Sequence, residues 1–313
     1  MNSPILIAGP TASGKSEIAL RLAGLLGGEI ISADSMQVYR GLDVGTAKPS
    51  TAERTQVPHH LIDICDLAES FDAAQFARLA KAAVAEIQAR GHVPILCGGT
   101  GLYFKAFLEG VGVAPPANPV LRGELECLPL ATLLMELQAS DPMTYERIDR
   151  QNPRRVVRAV EVIRLTGKPF SAQRDPWDAA SGPRGTPNPR FIALLRSNSD
   201  LQSRINARVD AMFRHGLVAE TEQLLKHGLA ANQTALQAIG YRQVVEYLGR
   251  PARPPAALVA TVELVKIRTR QFAKRQLTWF RRHGNPTWLE LKPGESLGAV
   301  AERISASLLR PVA

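Results

Sequence analysis

The 313-residue sequence predicts an α/β fold, a parallel-sheet core interrupted by an all-helical insertion. Three observations carry that expectation. The stretch "IAGPTASGKSEIAL" (7–20) contains Gly9, Pro10, Thr11, Ala12, Ser13, Gly14, Lys15 and Ser16, a match to the phosphate-loop pattern G-x-x-x-x-G-K-[ST]. Up to about residue 109, short apolar runs alternate with helical periodicity, the rhythm of a parallel sheet with helices on both faces. At 113–120 the Pro-rich "VAPPANPV" breaks the rhythm, and the pattern beyond it is helical. Together these define a P-loop NTPase-like core, residues 1–113 and 191–313, around an inserted helical domain, 114–190.

Ile5-Leu6-Ile7-Ala8 reads as a buried strand over 4–8, and Ile18, Leu22 and Leu25 share one face of a helix over 15–26. The loop between them therefore sits at a helix N-terminus, where backbone N–H groups converge on phosphate oxygens. Lys15 adds mobile positive charge there, and the Ser16 hydroxyl suits a Mg²⁺ ion. Strands are expected at 28–33, 60–64 and 93–97, with helices at 72–90 and 101–109. Gly98-Gly99-Thr100 follows the strand at 93–97. Thr100 is then either a ligand-facing residue at the carboxyl edge of the sheet or the N-cap of the next helix. In the insertion, helices are expected near 129–139, 142–149 and 153–166, the last with Asn152 as cap and Pro153 in its first position. "RDPWDAASGPRGTPNPR" (174–190) reads as loop, and "RFIALL" returns to the sheet. Helices at 199–215 and 217–227 and a long helix at 256–283 follow.

The formal net charge is +9, but residues 1–110 carry nine Lys/Arg against eleven Asp/Glu, so the excess lies wholly downstream. Between Val265 and Leu289 there is no acidic residue, while Lys266, Arg268, Arg270, Lys274, Arg275, Arg281 and Arg282 crowd one helix. The insertion repeats the signal in Arg147, Arg150, Arg154, Arg155 and Arg158. Such surfaces suit a polyanion, although a solvated basic face has the same composition. Trp279 and Phe280 fit either a core or a base-stacking role. No apolar stretch reaches the ~18 residues of a membrane span, so a cytoplasmic protein is expected. Cys65, Cys97 and Cys127 form no C-x-x-C pair, and neither a zinc site nor a disulfide framework is expected.

The phosphate loop alone does not name a reaction. P-loop kinases and ATPases usually carry an acid at the end of a neighbouring strand, yet the strand at 93–97 ends in glycine. Asp34, after "GEIISA", and Asp63, in "PHHLIDI", remain as candidates. From the residues alone Asp34 is a Mg²⁺ helper, a helix cap or a base on an acceptor. A small-molecule phosphotransferase and a non-catalytic RNA-binding ATPase stay open.

The blocks "GPTASGKS", "ISADSMQVYRGLDVGTAKP", "PHHLIDI", "GGTGLY", "NPRRVVRA" and "KRQLTWFR" resemble the tRNA dimethylallyltransferases, or tRNA isopentenyltransferases, over nearly the whole chain. The bacterial form fits better, because no cysteine follows Arg282 to build the zinc module that some, mainly eukaryotic, members append. The resemblance implies transfer of a five-carbon allylic group from dimethylallyl diphosphate to the exocyclic N6 amine of the adenosine just 3′ of the anticodon, and a monomer is expected. Asp34 would be the general base, and Thr100 would line the channel for the flipped adenosine. Arg208 would join Lys15 and Mg²⁺ on the leaving diphosphate. Gln37 has an amide able to read an adenine edge. The implied tRNA contacts are Asp34, Ser35, Met36, Gln37 and Thr100 near the reacting base, and Arg122, Gln151, Asn152, Pro153, Arg154, Arg155 and Arg158 in the insertion. Further implied contacts are Gly240, Tyr241, Arg242 and Gln243, then Lys274, Arg275, Gln276, Thr278, Trp279 and Arg281 on the long helix. The insertion would clasp the anticodon stem from the opposite side. An enzyme acting on free adenine nucleotides shares the loop and Asp34 but needs no such basic surface.

Overall fold

The computed structural model describes residues 3–110, 114–173 and 188–309. Two compact units divide the chain, Met1–Glu109 with Arg184–Ala313, and Gly110–Pro183. The first unit opens with β1 (Ile5–Ala8), α1 (Lys15–Leu26), β2 (Gly28–Ala33), α2 (Thr51–Gln56), β3 (His59–His60), α3 (Ala73–Ala89), β4 (Val93–Gly98) and α4 (Gly101–Glu109). The second holds α5 (Pro119–Glu126), α6 (Leu130–Ser140), α7 (Pro142–Arg147) and α8 (Pro153–Thr166). The first resumes with β5 (Asn188–Leu195), α9 (Asn198–Arg214), α10 (Leu217–Lys226), α11 (Tyr241–Leu248), α12 (Pro255–Arg282), β6 (Pro286–Glu290) and α13 (Leu297–Leu309).

Six parallel strands run in the order β3-β2-β4-β1-β5-β6. Alternation along β1 sends Ile5 and Ile7 into one core and Leu6 and Ala8 into the other. Ile18 and Leu22 of α1 and Val300 and Ile304 of α13 cover the first face. Phe76, Phe104, Tyr241 and Phe280 cover the second. With both faces sealed, β1, β2 and β4 are buried along their whole lengths. The loop after β1 is thereby fixed at the carboxyl edge of the sheet.

The strand expected at 60–64 reduces to His59–His60. Leu61 and Asp63 adopt left-handed backbone, φ 60° and 55°, which an extended strand does not allow. β5 starts at Asn188, so 188–190 belong to the sheet and not to the insertion. The loop reading of 174–187 and the boundary at 113 lie outside the described residues.

In the insertion unit, Val156, Val157 and Val160 of α8 pack on Leu125, Leu133 and Leu137. Glu161 is fully buried beside them and is held by Arg122 and Arg158, each at 2.7 Å, and by the Asn118 N–H at 2.9 Å. A buried carboxylate requires such pairing. Arg122 and Arg158, expected on the RNA surface, are partly exposed and spend guanidinium hydrogen bonds on this buried carboxylate.

Candidate active site

The loop of Gly9–Ser16 is shaped by backbone that few side chains tolerate. Gly14 caps α1 in left-handed conformation, φ 99°, and Ala12 is left-handed at φ 63°. Distant side chains hold this turn. Arg204 Nε donates to the Ala12 carbonyl and Arg196 Nε to the Ser13 carbonyl, both at 2.8 Å. Arg196 is itself fixed by Asp200 at 2.6 Å. Gln276 of α12 accepts from the Thr11 N–H at 2.9 Å. With these groups tied back, the loop sets the N-terminus of α1 beside a cavity, the end of a helix that favours an anion.

A cavity of about 380 Å³ opens beside the loop, lined by Thr11, Lys15, Ser16, Asp34, Ser35, Met36, Gln37, Thr100, Arg208, Arg275 and Gln276 among others. Lys15 Nζ donates to the Pro10 carbonyl at 3.3 Å, and burial lowers its pKa, with Cys97 and Asp34 opposing the shift and Arg208 reinforcing it. Arg208 donates to the Thr46 carbonyl at 3.2 Å, while its Nε, buried, has no hydrogen-bond partner among the described residues. Burial lowers the Arg208 pKa too, and Asp34 opposes it. Two recessed cations thus face one cavity with little to neutralise them, the arrangement an incoming polyanion satisfies. Burial also pushes the Cys97 thiol, whose Sγ lies 3.6 Å from the Lys15 carbonyl, up to about 12.

Asp34 follows β2 directly, and its Oδ1 accepts from the Met36 N–H at 2.9 Å. Thr100 stands before α4 with its carbonyl accepting from the Tyr103 N–H, while its hydroxyl turns to Ser35. Its Oγ1 accepts from the Ser35 N–H at 3.1 Å, stitching the turn that carries Asp34 to the end of β4. The close approach of β2 and β4 requires glycine, because a Cβ on Gly98 would lie 2.1 Å from the Ala33 carbonyl oxygen. Gln37 lines the cavity, but its Oε1 accepts from Ser32 at 2.9 Å and its Nε2 lies 3.4 Å from the Thr46 and Ala47 carbonyls. The amide expected to read an adenine edge is engaged within the protein.

Other expected contacts also turn inward. Tyr241 is fully buried, receives the Gly45 N–H at 3.0 Å and donates its hydroxyl proton to Glu220, which also receives the Val44 N–H at 2.9 Å. Gln243 is buried and accepts from the Gly240 N–H at 2.9 Å. Gln276 is buried against Thr11 and Gly99. Asn152 spends its side chain as the cap of α8, and Pro153 begins that helix. Lys266 of the expected basic stripe pairs with Asp210 and Glu263, each at 2.8 Å, and Arg270 binds Asn206. Arg242, Lys274, Arg275, Thr278 and Arg281 stay exposed in the core unit, as do Gln151, Arg154 and Arg155 in the insertion. Trp279 is half-buried, stacked on His283.

The six-stranded parallel sheet and the loop after β1 define a P-loop-like α/β protein in which Lys15, Arg208 and the carboxylate-bearing Asp34 line one cavity. The family model described as IPP transferase matches residues 37–283. The chain is 47% identical over 289 residues to tRNA dimethylallyltransferase 1 of Trichlorobacter lovleyi, covering 91% of this chain and 92% of that protein. It is 48% identical over 290 residues to the tRNA dimethylallyltransferase of Halorhodospira halophila, covering 90% and 91%. The solved tRNA isopentenylpyrophosphate transferase of Bacillus halodurans superposes with a TM-score of 0.68 at 38% identity, covering 98% and 97%. A eukaryotic dimethylallyltransferase solved while acting on tRNA gives a TM-score of 0.71 at 26% identity, covering 93% and 74%. The chain belongs to the IPP transferase family. Among the described residues, no helix is long and apolar enough to cross a membrane.

Proposed function

We propose that the protein, as a cytoplasmic monomer, transfers a dimethylallyl group from dimethylallyl diphosphate to the exocyclic N6 amine of the adenosine just 3′ of the anticodon in tRNA. The observation that carries this reading is a single cavity with Lys15, Ser16 and Arg208, Asp34 and Thr100, and an apolar wall of Val209, Met212, Ile239, Val265 and Phe272. A diphosphate matches the cations, and a branched five-carbon chain matches the wall. As the amine nitrogen bonds to the allylic carbon, the carbon–oxygen bond breaks and its electron pair leaves with the diphosphate. Lys15, Arg208 and the loop N–H groups stabilise that growing charge more than the ground state. The amine proton goes to Asp34, whose other oxygen is already oriented by the Met36 N–H. Exposed Lys274, Arg275 and Arg281 on α12, with Arg154 and Arg155 of the insertion, are assigned to tRNA phosphates.

Mg²⁺ fits the residues present. Among the described residues no cluster of three His, Cys, Asp or Glu side chains could hold a metal alone, but Ser16 together with diphosphate oxygens would supply the sparse ligand set Mg²⁺ accepts. The ion would add charge stabilisation at the leaving diphosphate. Incubation with labelled dimethylallyl diphosphate, Mg²⁺ and unmodified tRNA, followed by nucleoside analysis, tests the reading. Label on an adenosine of the anticodon loop is expected. ATP hydrolysis coupled to turnover, with no label on tRNA, would replace it with the phosphotransferase or ATPase reading.

A further inference from the structure

Gln276 lies on α12 directly after the exposed Lys274 and Arg275, yet its own side chain is buried. Its Oε1 accepts from the Thr11 N–H at 2.9 Å, and its Nε2 donates to the Gly99 carbonyl at 2.9 Å. A single amide thus joins the loop after β1, the turn after β4 and the long helix. Its orientation is set by the two partners, since only the oxygen can meet an N–H and only the nitrogen a carbonyl. The turn after β4 leaves just enough room for it. A Cβ on Gly99 would lie 2.2 Å from the Gln276 Nε2, and one on Gly101 would lie 2.2 Å from the Trp279 ring.

We propose that Gln276 is a positioning residue that couples the RNA-facing side of α12 to the diphosphate cradle, so that each ligand favours binding of the other. The inference rests on the reading of the cradle as a diphosphate site. Arg204 and Arg196 hold the Ala12 and Ser13 carbonyls from α9 and the end of β5, but Gln276 alone among these anchors stands on the helix with the exposed cations. Gln276 is the side chain of α12 that bonds the loop directly, whereas the Arg270–Asn206 bond ties α12 to the loop only by way of α9 and Arg204. Such coupling is reciprocal, so both ligands must report the same factor.

The test measures Mg²⁺-pyrophosphate binding by calorimetry, with and without an unmodified anticodon stem-loop, in wild type and in Gln276→Ala, Gln276→Met and Gly99→Ala. Gln276→Met keeps the side-chain volume, so packing loss is separated from hydrogen-bond loss. In wild type the stem-loop should tighten pyrophosphate binding. Both Gln276 variants should weaken pyrophosphate about tenfold, the scale of one or two neutral hydrogen bonds, and abolish the enhancement. Stem-loop affinity measured alone should not change. Gly99→Ala should reproduce the defect, and adding it to Gln276→Ala should cost little more. Wild-type pyrophosphate affinity and enhancement in Gln276→Met would overturn the coupling while sparing the cradle. A loss confined to stem-loop affinity would instead make Gln276 an RNA contact. Absence of pyrophosphate binding in wild type would remove both readings.

Discussion

Strand β2 carries a buried charge near one end and leads to the candidate site at the other, and the two ends treat charge in opposite ways. Near its start, Glu29 is buried and saturated, with Arg90 at 2.8 Å, His60 at 2.6 Å and His92 at 2.7 Å. Just past its end, Asp34 shares a cavity with Lys15 and Arg208, which burial pushes away from their charged forms and whose donors are only partly used. Saturated charge stabilises the fold and asks for no ligand. Under-satisfied charge raises the energy of the empty site and lowers that of the site with an anion in it, which is what a binding centre requires. The exposed cations of α12 are a third case, already hydrated and effective only at a polyelectrolyte surface.

The largest break should come from Asp34→Ala. Removing a positioned base is expected to lower the single-turnover transfer rate by roughly 10²–10⁴-fold, with tRNA affinity near wild type. A variant that turns over normally would assign Asp34 to the Met36 turn and nothing more. Next is Arg208→Ala, expected to lower transfer by about 10²–10³-fold through lost stabilisation of the leaving group. Because its guanidinium is under-satisfied in the empty protein, the melting temperature should hold or rise. A large fall in melting temperature, with transfer preserved, would place Arg208 with Glu29 as a structural charge.

Much of this division was legible in the sequence, and where it was not the cause is geometric. The phosphate loop, the strands at 28–33 and 93–97 and the long helix announce themselves through local pattern. The strand at 60–64 failed because two left-handed residues, Leu61 and Asp63, interrupt an apolar run that otherwise reads as extended. β6, α13, α11, α5 and α2 went unanticipated. The edge strand β6 is defined by its register with β5, which no local window contains. In the site, Lys15, Asp34, Thr100 and Arg208 converge as the motifs imply, but Arg196 and Arg204 were missed. Each acts on a backbone carbonyl more than 180 residues away, 183 and 192 positions respectively, so no local pattern names the partner. For Tyr241, Gln243 and Gln276 a motif fixes residue type, whereas burial decides which way the side chain points, and for Arg158 the deciding partner is the buried Glu161. For Arg196, the signal available was its place at the carboxyl end of "RFIALL", where open sheets build their sites.

The exposed cations sharpen the contrast at a smaller scale. Neutralising Lys274, Arg275 and Arg281 together should weaken stem-loop binding, and the log–log salt slope should fall by about 0.9 per lost duplex phosphate contact, or about 0.7 per single-strand contact. Transfer from the bound complex should fall less than affinity does, and whatever loss remains should trace to Arg275, which also lines the cavity. Within α8 the same logic separates neighbours. Arg155→Ala should lower the salt slope without changing stability, whereas Arg158→Ala should destabilise the insertion, because it strips one of two cations from buried Glu161. Equal salt-slope effects from both, with no change in melting, would return Arg158 to the RNA surface.

Glu29→Gln should have no effect on transfer, and its signature lies in acid. Burial alone would raise the Glu29 pKa, but hydrogen bonds from Arg90, His60 and His92 outweigh it and hold the carboxyl at about 2, against 4.5 for an unperturbed glutamate. A folded-state pKa below the unfolded one means that the carboxylate's contribution is complete above about 4.5 and is lost as pH falls toward 2. Glutamine keeps the shape but loses the charge that Arg90 faces and turns an N–H toward groups that donate, so the variant should be less stable at pH 7, on the order of 1–3 kcal/mol. Thermal melts from pH 7 down to pH 3 should show the wild-type advantage shrinking below about pH 4.5, while single-turnover transfer at neutral pH matches wild type. A constant gap across that range would mean that the Glu29 charge is not what the three partners hold. A loss of transfer with stability intact would erase the distinction between the two ends of β2.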